Sequence, residues 1–400
     1  MAIDRSTDQR FFLIFFPLGH MAVDWGGGAV LLLAPAMALA MDLSALQVGL
    51  MLTAMELGAG MAYAPAGLLG DRIHRRGLLL LLSFWWVALG YLAASFAPGY
   101  WSVVALFTLA GMGVAAWHPV ATGVMVEQMA ERKAQALGVH SIGGTLSHVL
   151  APLSVGFLLT YFSWQHVLQI SVLPALVVGV VLLWWWRRIP PSGRERIGRA
   201  DLGAMWREWR RPGGLLVAAM LVTYQMSFIA LQAMTPLVLV REHDYSIALA
   251  GVVFAAMLTG GALASPFVGR ASDTAGRKRV AVVALAGSGM AAAFAAFAGG
   301  GLLLVGALVA AGTLIVSVRA VMLAAAVDVS RGHESTALGV AFSIMDGVGA
   351  MGALSAGAIG SNDLRLAIAF ASAMAFVSLG VALAMPSRLA RRAAEGSAAG

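Results

Sequence analysis

"GLLGDRIHRRG" at residues 67–77 and "GRASDTAGRKR" at residues 269–279 are polar, basic stretches, and each is wedged between long apolar runs. The surrounding chain explains why they stand out. Only 11% of the 400 residues are charged, 60% are hydrophobic, and the mean hydropathy is +0.85. A soluble domain carries about 25% charged residues. About 20 residues of helix cross about 30 Å of hydrocarbon, and a span with its connection takes roughly 33 residues, so the length allows about twelve spans.

Reading between polar interruptions places spans near 11–39, 46–69, 78–96, 101–126, 138–160 and 166–186. A second set lies near 214–240, 247–268, 280–297, 301–327, 338–360 and 364–385. Most connections are short, as in "SND" at 361–363, which suits antiparallel neighbours. The exception is residues 187–213, a basic, proline-marked linker. The expected organisation is therefore an N-terminal six-helix bundle over 1–186, a cytoplasmic linker over 187–213, and a C-terminal six-helix bundle with a short tail over 214–400. The fold class expected is an all-α polytopic membrane protein. The opening "MAIDRSTDQR" does not read as part of a cleaved signal peptide.

Basic residues set the expected orientation. With the N-terminus inside, 23 of the 26 Lys and Arg fall in cytoplasmic segments, two (Arg241 and Arg365) fall outside, and Arg319 lies within a span. Positive residues resist translocation, so both termini are expected to be cytoplasmic, in a cell (inner) membrane. The same distribution accounts for the net charge of +7 without a nucleic-acid partner, because the charges occupy separate short loops. Cysteine is absent, which excludes a disulfide framework and a cysteine nucleophile or metal site.

The two quoted clusters align at an offset of 202, pairing Gly67 with Gly269, Asp71 with Asp273, Arg75 with Arg277 and Arg76 with Lys278. A second match, at an offset of 201, sets Glu127 on Asp328 and Gly138 on Gly339. The chain reads as a duplicated six-helix unit, the parallel-repeat design in which two bundles rock about a central site.

At this point the residues resemble a known family. The pattern G-x-x-x-D-x-x-G-R-[KR], complete at 269–278 and with His74 in place of the second glycine in the first copy, is similar to the signature loop of the major facilitator superfamily. A finer resemblance, to the fosmidomycin-resistance branch of drug exporters, rests on "GHMAVDWGGGAV", "WHPVATG" and "GGTLSHVLAPLSVG". His20, Asp24, His118, Pro119, Gly143, Gly144 and Pro152 stand at the matching places, while Ser147 and Ala151 replace two glycines and His148 adds a polar group. The resemblance implies gating by Gly67, Asp71, Arg75, Gly269, Asp273 and Arg277. Asp71 is expected to dock toward the eleventh span near Gly339, supported by Arg75. The alternative is a plain topological anchor.

Ionisable groups inside apolar spans face a cavity or a partner, because a charge at the bilayer centre is costly. Asp24 lies about 20 Å into the first span, with His20 one turn earlier on the same face, and Glu56 lies about 15 Å into the second. His20, Asp24 and Glu56 either carry a coupling proton or lock helices together. Arg319 falls about 12 Å into its span, opposite Trp117 and His118 by the duplication, and Asp346 lies at a comparable depth in the eleventh span. Arg319 either receives an anionic substrate or pairs permanently with Asp346.

Trp117, His118, Arg319, Asp346, His148 and Gln225 are the expected substrate-binding set. Tyr224 and Gln232 either line the same site or bridge helices. His140 and His148 share one helix face, yet no carboxylate or third histidine shares their spacing, so no metal is expected. No nucleotide loop of the Walker type and no nucleophile–base spacing is present, so no cofactor and no enzymatic activity are expected. The reading is a secondary active transporter, proton-coupled and exporting a small organic or drug-like compound, acting as a monomer. Proton-coupled import of a small organic anion and a non-transporting receptor or assembly factor are the alternatives.

Overall fold

The computed structural model describes residues 5–129, 133–191, 199–329 and 340–385. Among them, twelve helical segments are long and apolar enough to cross a membrane, from Phe11–Ala40 to Arg365–Ala384. Their ends fall within a few residues of those read from sequence, except the eighth, which runs on to Ala275.

The first set is α1 (Arg5–Ala40), α2 (Ala45–Arg72), α3 (Arg76–Ser95), α4 (Tyr100–Gln128) and α5 (Lys133–Leu158), followed by α6 (Trp164–Ser171) and α7 (Leu173–Trp185). Pro174 in the first turn of α7 lacks an amide hydrogen, and the sixth span breaks there into two pieces. After the short helix α8 (Arg199–Arg210), the second set comprises α9 (Pro212–Arg241), α10 (Ile247–Ala275), α11 (Arg277–Phe297), α12 (Gly301–Ser317) and α13 (Arg319–Val329). A π-helical turn over Ser343–Val348 then leads into α14 (Met351–Ile359), and α15 (Arg365–Ala384) follows.

The duplication is visible in the helix limits. The first and seventh spans, Phe11–Ala40 and Pro212–Arg241, each have 30 residues, and the fourth and tenth each have 29. Both pairs are offset by 201, as are the internal prolines Pro35 and Pro236, and Pro65 and Pro266.

The chain forms two compact units. One holds Met1–Met37 and Ala54–Arg196, the other Ala38–Thr53 and Ile197–Gly400. In lipid there is little hydrophobic drive between helices, so small residues and interhelical hydrogen bonds hold each unit together. In the first unit a Cβ at Gly90 would meet Ala110 Cβ at 3.0 Å. In the second, Ser227 donates to the Ala371 carbonyl at 2.7 Å, Ser372 to Gly289 at 2.7 Å, and Ser288 to Ala311 at 3.0 Å. The segment 38–53 belongs to the second unit through several bonds. Arg241 donates to the carbonyls of Ala38 and Leu43 at 2.8 and 2.9 Å, and Thr53 donates to Ala350 at 2.8 Å. Large apolar side chains such as Leu302, Phe267 and Phe297 remain exposed, as suits a surface covered by acyl chains.

Candidate functional site

In the first unit, α1, α4 and α5 bring four ionisable side chains together. His20 Nε2 lies 3.2 Å from Asp24 Oδ2, and His118 Nε2 lies 3.2 Å from Asp24 Oδ1. His20 and Asp24 meet because residues four apart share a helix face. His118 reaches them from α4, next to Pro119, whose missing amide hydrogen frees a backbone carbonyl of the preceding turn.

The approach of α5 depends on two glycines. A Cβ at Gly144 would lie 2.7 Å from His20 Nε2, and one at Gly143 would collide with the Pro17 carbonyl. This close contact places the His140 carbonyl 2.9 Å from His20 Nδ1. A carbonyl only accepts, so Nδ1 carries a hydrogen and Nε2 is the nitrogen left to face Asp24.

Two states of the pair are then free of repulsion. Either Nε2 is protonated and donates to the carboxylate, or Asp24 is protonated and donates to Nε2. With no proton between them a lone pair faces a negative oxygen. Occupancy by one proton is thus tied to geometry.

Aromatic rings enclose the group. His140 stacks on His20 at 4.4 Å and on Trp117 at 5.4 Å, and Tyr63 lies over His118 at 6.2 Å. Trp117 Nε1 is buried there without a hydrogen-bond partner among the described residues. Glu56 and Asp24 are both close enough to act electrostatically on the phenol of Tyr91.

Donor atoms of His20, Asp24 and His118 lie within 4.8 Å of one another, close enough to hold a metal ion as well as shared protons. The expectation of no metal rested on spacing within one helix, and spacing along a sequence does not see a partner supplied by another span. His148, grouped with His140 by sequence, is instead exposed on α5.

The second unit carries its own cluster. Gln225 Nε2 donates to Asp346 Oδ1 at 3.1 Å, and Arg319 Cζ lies 5.6 Å over the Phe228 ring. Arg319 and Asp346 both act on the phenol of Tyr224, whose hydroxyl donates to the Ile315 carbonyl at 3.0 Å. Gln232, on the same helix, is buried.

The signature loops differ from the expected alignment. Arg76, not Arg75, makes the buried ion pair of the first loop, donating through Nη2 to Glu127 Oε1 and Oε2 at 2.8 and 2.7 Å. Arg75 is exposed at the start of α3. In the second loop Arg277 pairs with Asp328 and also donates to the Ala324 carbonyl. The equivalent arginines are therefore 201 apart, not 202.

The reason is the second-copy glycine. Gly276 has φ +94, so a single residue turns the chain from α10 into α11. The first copy has His74 there, and three residues, 73–75, make the same connection. Lys278 turns to the end of α15, donating to the carbonyls of Leu383 and Met385. Asp273 is exposed and Gly269 half-buried, while a Cβ at Gly67 would meet Pro119 at an ordinary 3.6 Å. The Asp71 side chain and Gly339, expected to dock together, lie outside the described residues.

Comparison with known proteins agrees with this architecture. The family model for the Major Facilitator Superfamily matches residues 11–257 and again 216–399. An uncharacterized MFS-type transporter, YwoD of Bacillus subtilis (strain 168), is 29% identical over 140 residues, which is 35% of this chain and 30% of that one. A probable 4-methylmuconolactone transporter of Cupriavidus pinatubonensis is 28% identical over 185 residues, 44% of this chain and 42% of that one. The chain thus spans less than half the length of these curated relatives.

Among solved structures, a bacterial homolog of the human lysosomal transporter Spinster superposes with a TM-score of 0.80 at 16% identity, over 97% of this chain and 98% of that one. The nucleoside transporter NupG gives 0.76 at 11% identity, over 94% and 98%. These likenesses show the fold. Twelve apolar spans among the described residues, two repeats with matching ion pairs and a family match along nearly the whole chain make this multi-pass membrane protein a member of the major facilitator superfamily.

Proposed function

We propose that the protein is a secondary active transporter that exports a small organic compound in exchange for protons. The observation that carries this reading is the pair of imidazole nitrogens set at 3.2 Å on the Asp24 carboxylate, inside an apolar span. Charge at that depth is expensive unless it is compensated. The His20–Asp24 pair needs one proton, and a substrate or a conformational change that alters its surroundings alters how tightly that proton is held. The groups facing Asp24 are His20 on its own helix, His118 on α4 and His140 on α5, with Glu56 on α2 and Tyr91 on α3 nearby.

Export is supported by the resemblance of the first, fourth and fifth spans to the fosmidomycin-resistance branch. Transport of a small organic molecule is supported by the relative named for 4-methylmuconolactone. In this reading both termini are cytoplasmic, Arg76–Glu127 and Arg277–Asp328 brace the cytoplasmic helix ends, and the monomer is the working unit.

The test is flux in proteoliposomes under an imposed pH gradient, with organic anions and hydrophobic drugs screened together. An outside-acid gradient should drive a loaded compound outward, and Asp24→Asn should remove that pH dependence. Accumulation together with protons would turn the reading to import. Binding with no flux would turn it to a receptor. Unaltered pH-driven flux in Asp24→Asn would remove Asp24 from coupling.

A further inference from the structure

The lone pairs by which an imidazole nitrogen or a carboxylate oxygen takes a proton are the same ones that bind a metal ion. His20, Asp24 and His118 each offer one such atom, and the three atoms lie within 4.8 Å of one another inside the first unit. Two of the donors come from α1, where a spacing of four residues puts both on one face, as in helices that supply paired zinc ligands. The third comes from α4.

The spacing suits an ion better than a pair of strong hydrogen bonds. A charge-assisted N–H···O bond closes to about 2.7–2.9 Å. The nitrogens of His20 and His118 instead stand 3.2 Å from the Asp24 oxygens that they face. Zinc bonds of about 2.0 Å, arranged tetrahedrally, hold neighbouring donor atoms about 3.3 Å apart. Each nitrogen is therefore spaced from its carboxylate oxygen as two ligands of one ion are.

The surroundings supply the remaining features of such a site. A ligating histidine is normally oriented by a hydrogen bond from its other ring nitrogen to a carbonyl or carboxylate. His20 has that bond, from Nδ1 to the His140 carbonyl at 2.9 Å, and its ring is stacked on that of His140 at 4.4 Å. The His118 ring stands at 74° to the His20 ring, so the two imidazoles approach from different directions, as ligands on separate corners do. The side chains of His20, Asp24 and His118 keep 15%, 11% and 21% of their surface accessible, which lets an ion enter without unfolding.

We infer that His20, Asp24 and His118 form a binding site for a divalent transition-metal ion, with zinc the best match. The ion ties α1 to α4, and its fourth tetrahedral position is left for water or another donor. Two imidazoles and a single carboxylate select zinc or cobalt over magnesium and calcium, which take mostly oxygen ligands in larger number. The inference concerns what these side chains bind and does not depend on export or on proton coupling.

The test is calorimetric titration of the tag-free, chelator-stripped full-length protein in lipid nanodiscs with zinc chloride. One ion should bind per chain, and neither magnesium nor calcium in excess should displace it. His118→Gln and Asp24→Asn should each weaken binding about tenfold or more. His166→Gln, at an exposed histidine outside the cluster, should leave binding unchanged. Zinc should also raise the thermal unfolding midpoint of the parent and not that of His118→Gln.

Absence of saturable zinc binding would overturn the inference. So would equal affinity for magnesium, or unchanged zinc affinity in a folded His118→Gln protein. Where the variants do not fold, X-ray absorption at the zinc edge of the loaded parent decides. Two imidazole ligands support the site, and a shell without histidine overturns it. None of these readouts involves flux, so their failure leaves the proton-carrier reading standing, and failure of proton-driven flux leaves the metal site standing.

Discussion

Arg76 Nη2 donates to both carboxylate oxygens of Glu127, at 2.8 and 2.7 Å, and joins the start of α3 to the end of α4. The Arg76 side chain is 3% exposed and that of Glu127 15%. The counterpart pair, Arg277 and Asp328, is more open, at 24% and 30%. Removing one member of a buried pair strands the other charge, at about 3–5 kcal/mol, whereas exposed pairs are worth about 0–1 kcal/mol. Glu127→Gln should therefore lower thermal stability in detergent clearly more than Asp328→Asn. Equal losses would show that burial does not set the worth of these pairs.

Gly144 sits against the ring of His20. Gly144→Ala places a methyl 2.7 Å from Nε2 and 2.8 Å from Cε1, so the ring must move off Asp24. Overpacking of this kind costs about 1–3 kcal/mol. The expected result is a folded, modestly destabilised protein whose transport no longer varies with pH. Gly138, on the same helix, has nothing within 4 Å of a built Cβ, and Gly138→Ala should leave stability and transport unchanged.

The single-residue connection at Gly276 depends on its positive φ of +94. A Cβ would meet open space there, so the penalty in Gly276→Ala is purely conformational, about 1 kcal/mol. Chemical unfolding followed by tryptophan fluorescence should register that loss. His74→Gly in the first copy should show none, because residues 73–75 already make the turn without it.

Thr53 donates to the Ala350 carbonyl at 2.8 Å and accepts from the Leu354 amide at 3.0 Å. Those are the groups a regular helix would pair with each other, and they follow directly on the π-helical turn that carries Asp346. Thr53→Val keeps the shape and removes both bonds, costing about 1–3 kcal/mol. Thr53→Ser should retain most of the stability. A Val variant as stable as the parent would mean the helix closes its own bond.

The sequence alone carries the span count, the duplication and the apolar setting of Asp24, Glu56 and Arg319. Each of these follows from local composition or from a constant offset, and neither needs a partner residue to be known. His20 and Asp24 were legible as a pair for the same reason, since four residues on one helix define a contact. His118 and His140 were visible as polar groups in apolar spans, but not as members of one cluster with Asp24. Their meeting depends on how closely α5 approaches α1, which two glycine hydrogens allow and sequence spacing cannot measure.

The same limit explains the arginine exchange in the signature loop, where the motif points to Arg75 and the buried bond belongs to Arg76. A motif aligns letters, whereas the turn made by Gly276 in one copy and by residues 73–75 in the other decides which side chain enters the unit. The chain's own pattern determined that it would be a twelve-span, two-repeat membrane protein, because bilayer thickness and helical rise act on every segment independently. Tertiary packing alone decided that His118 joins His20 and Asp24, because a contact of 3.2 Å between different helices is a property of their approach and of no single segment.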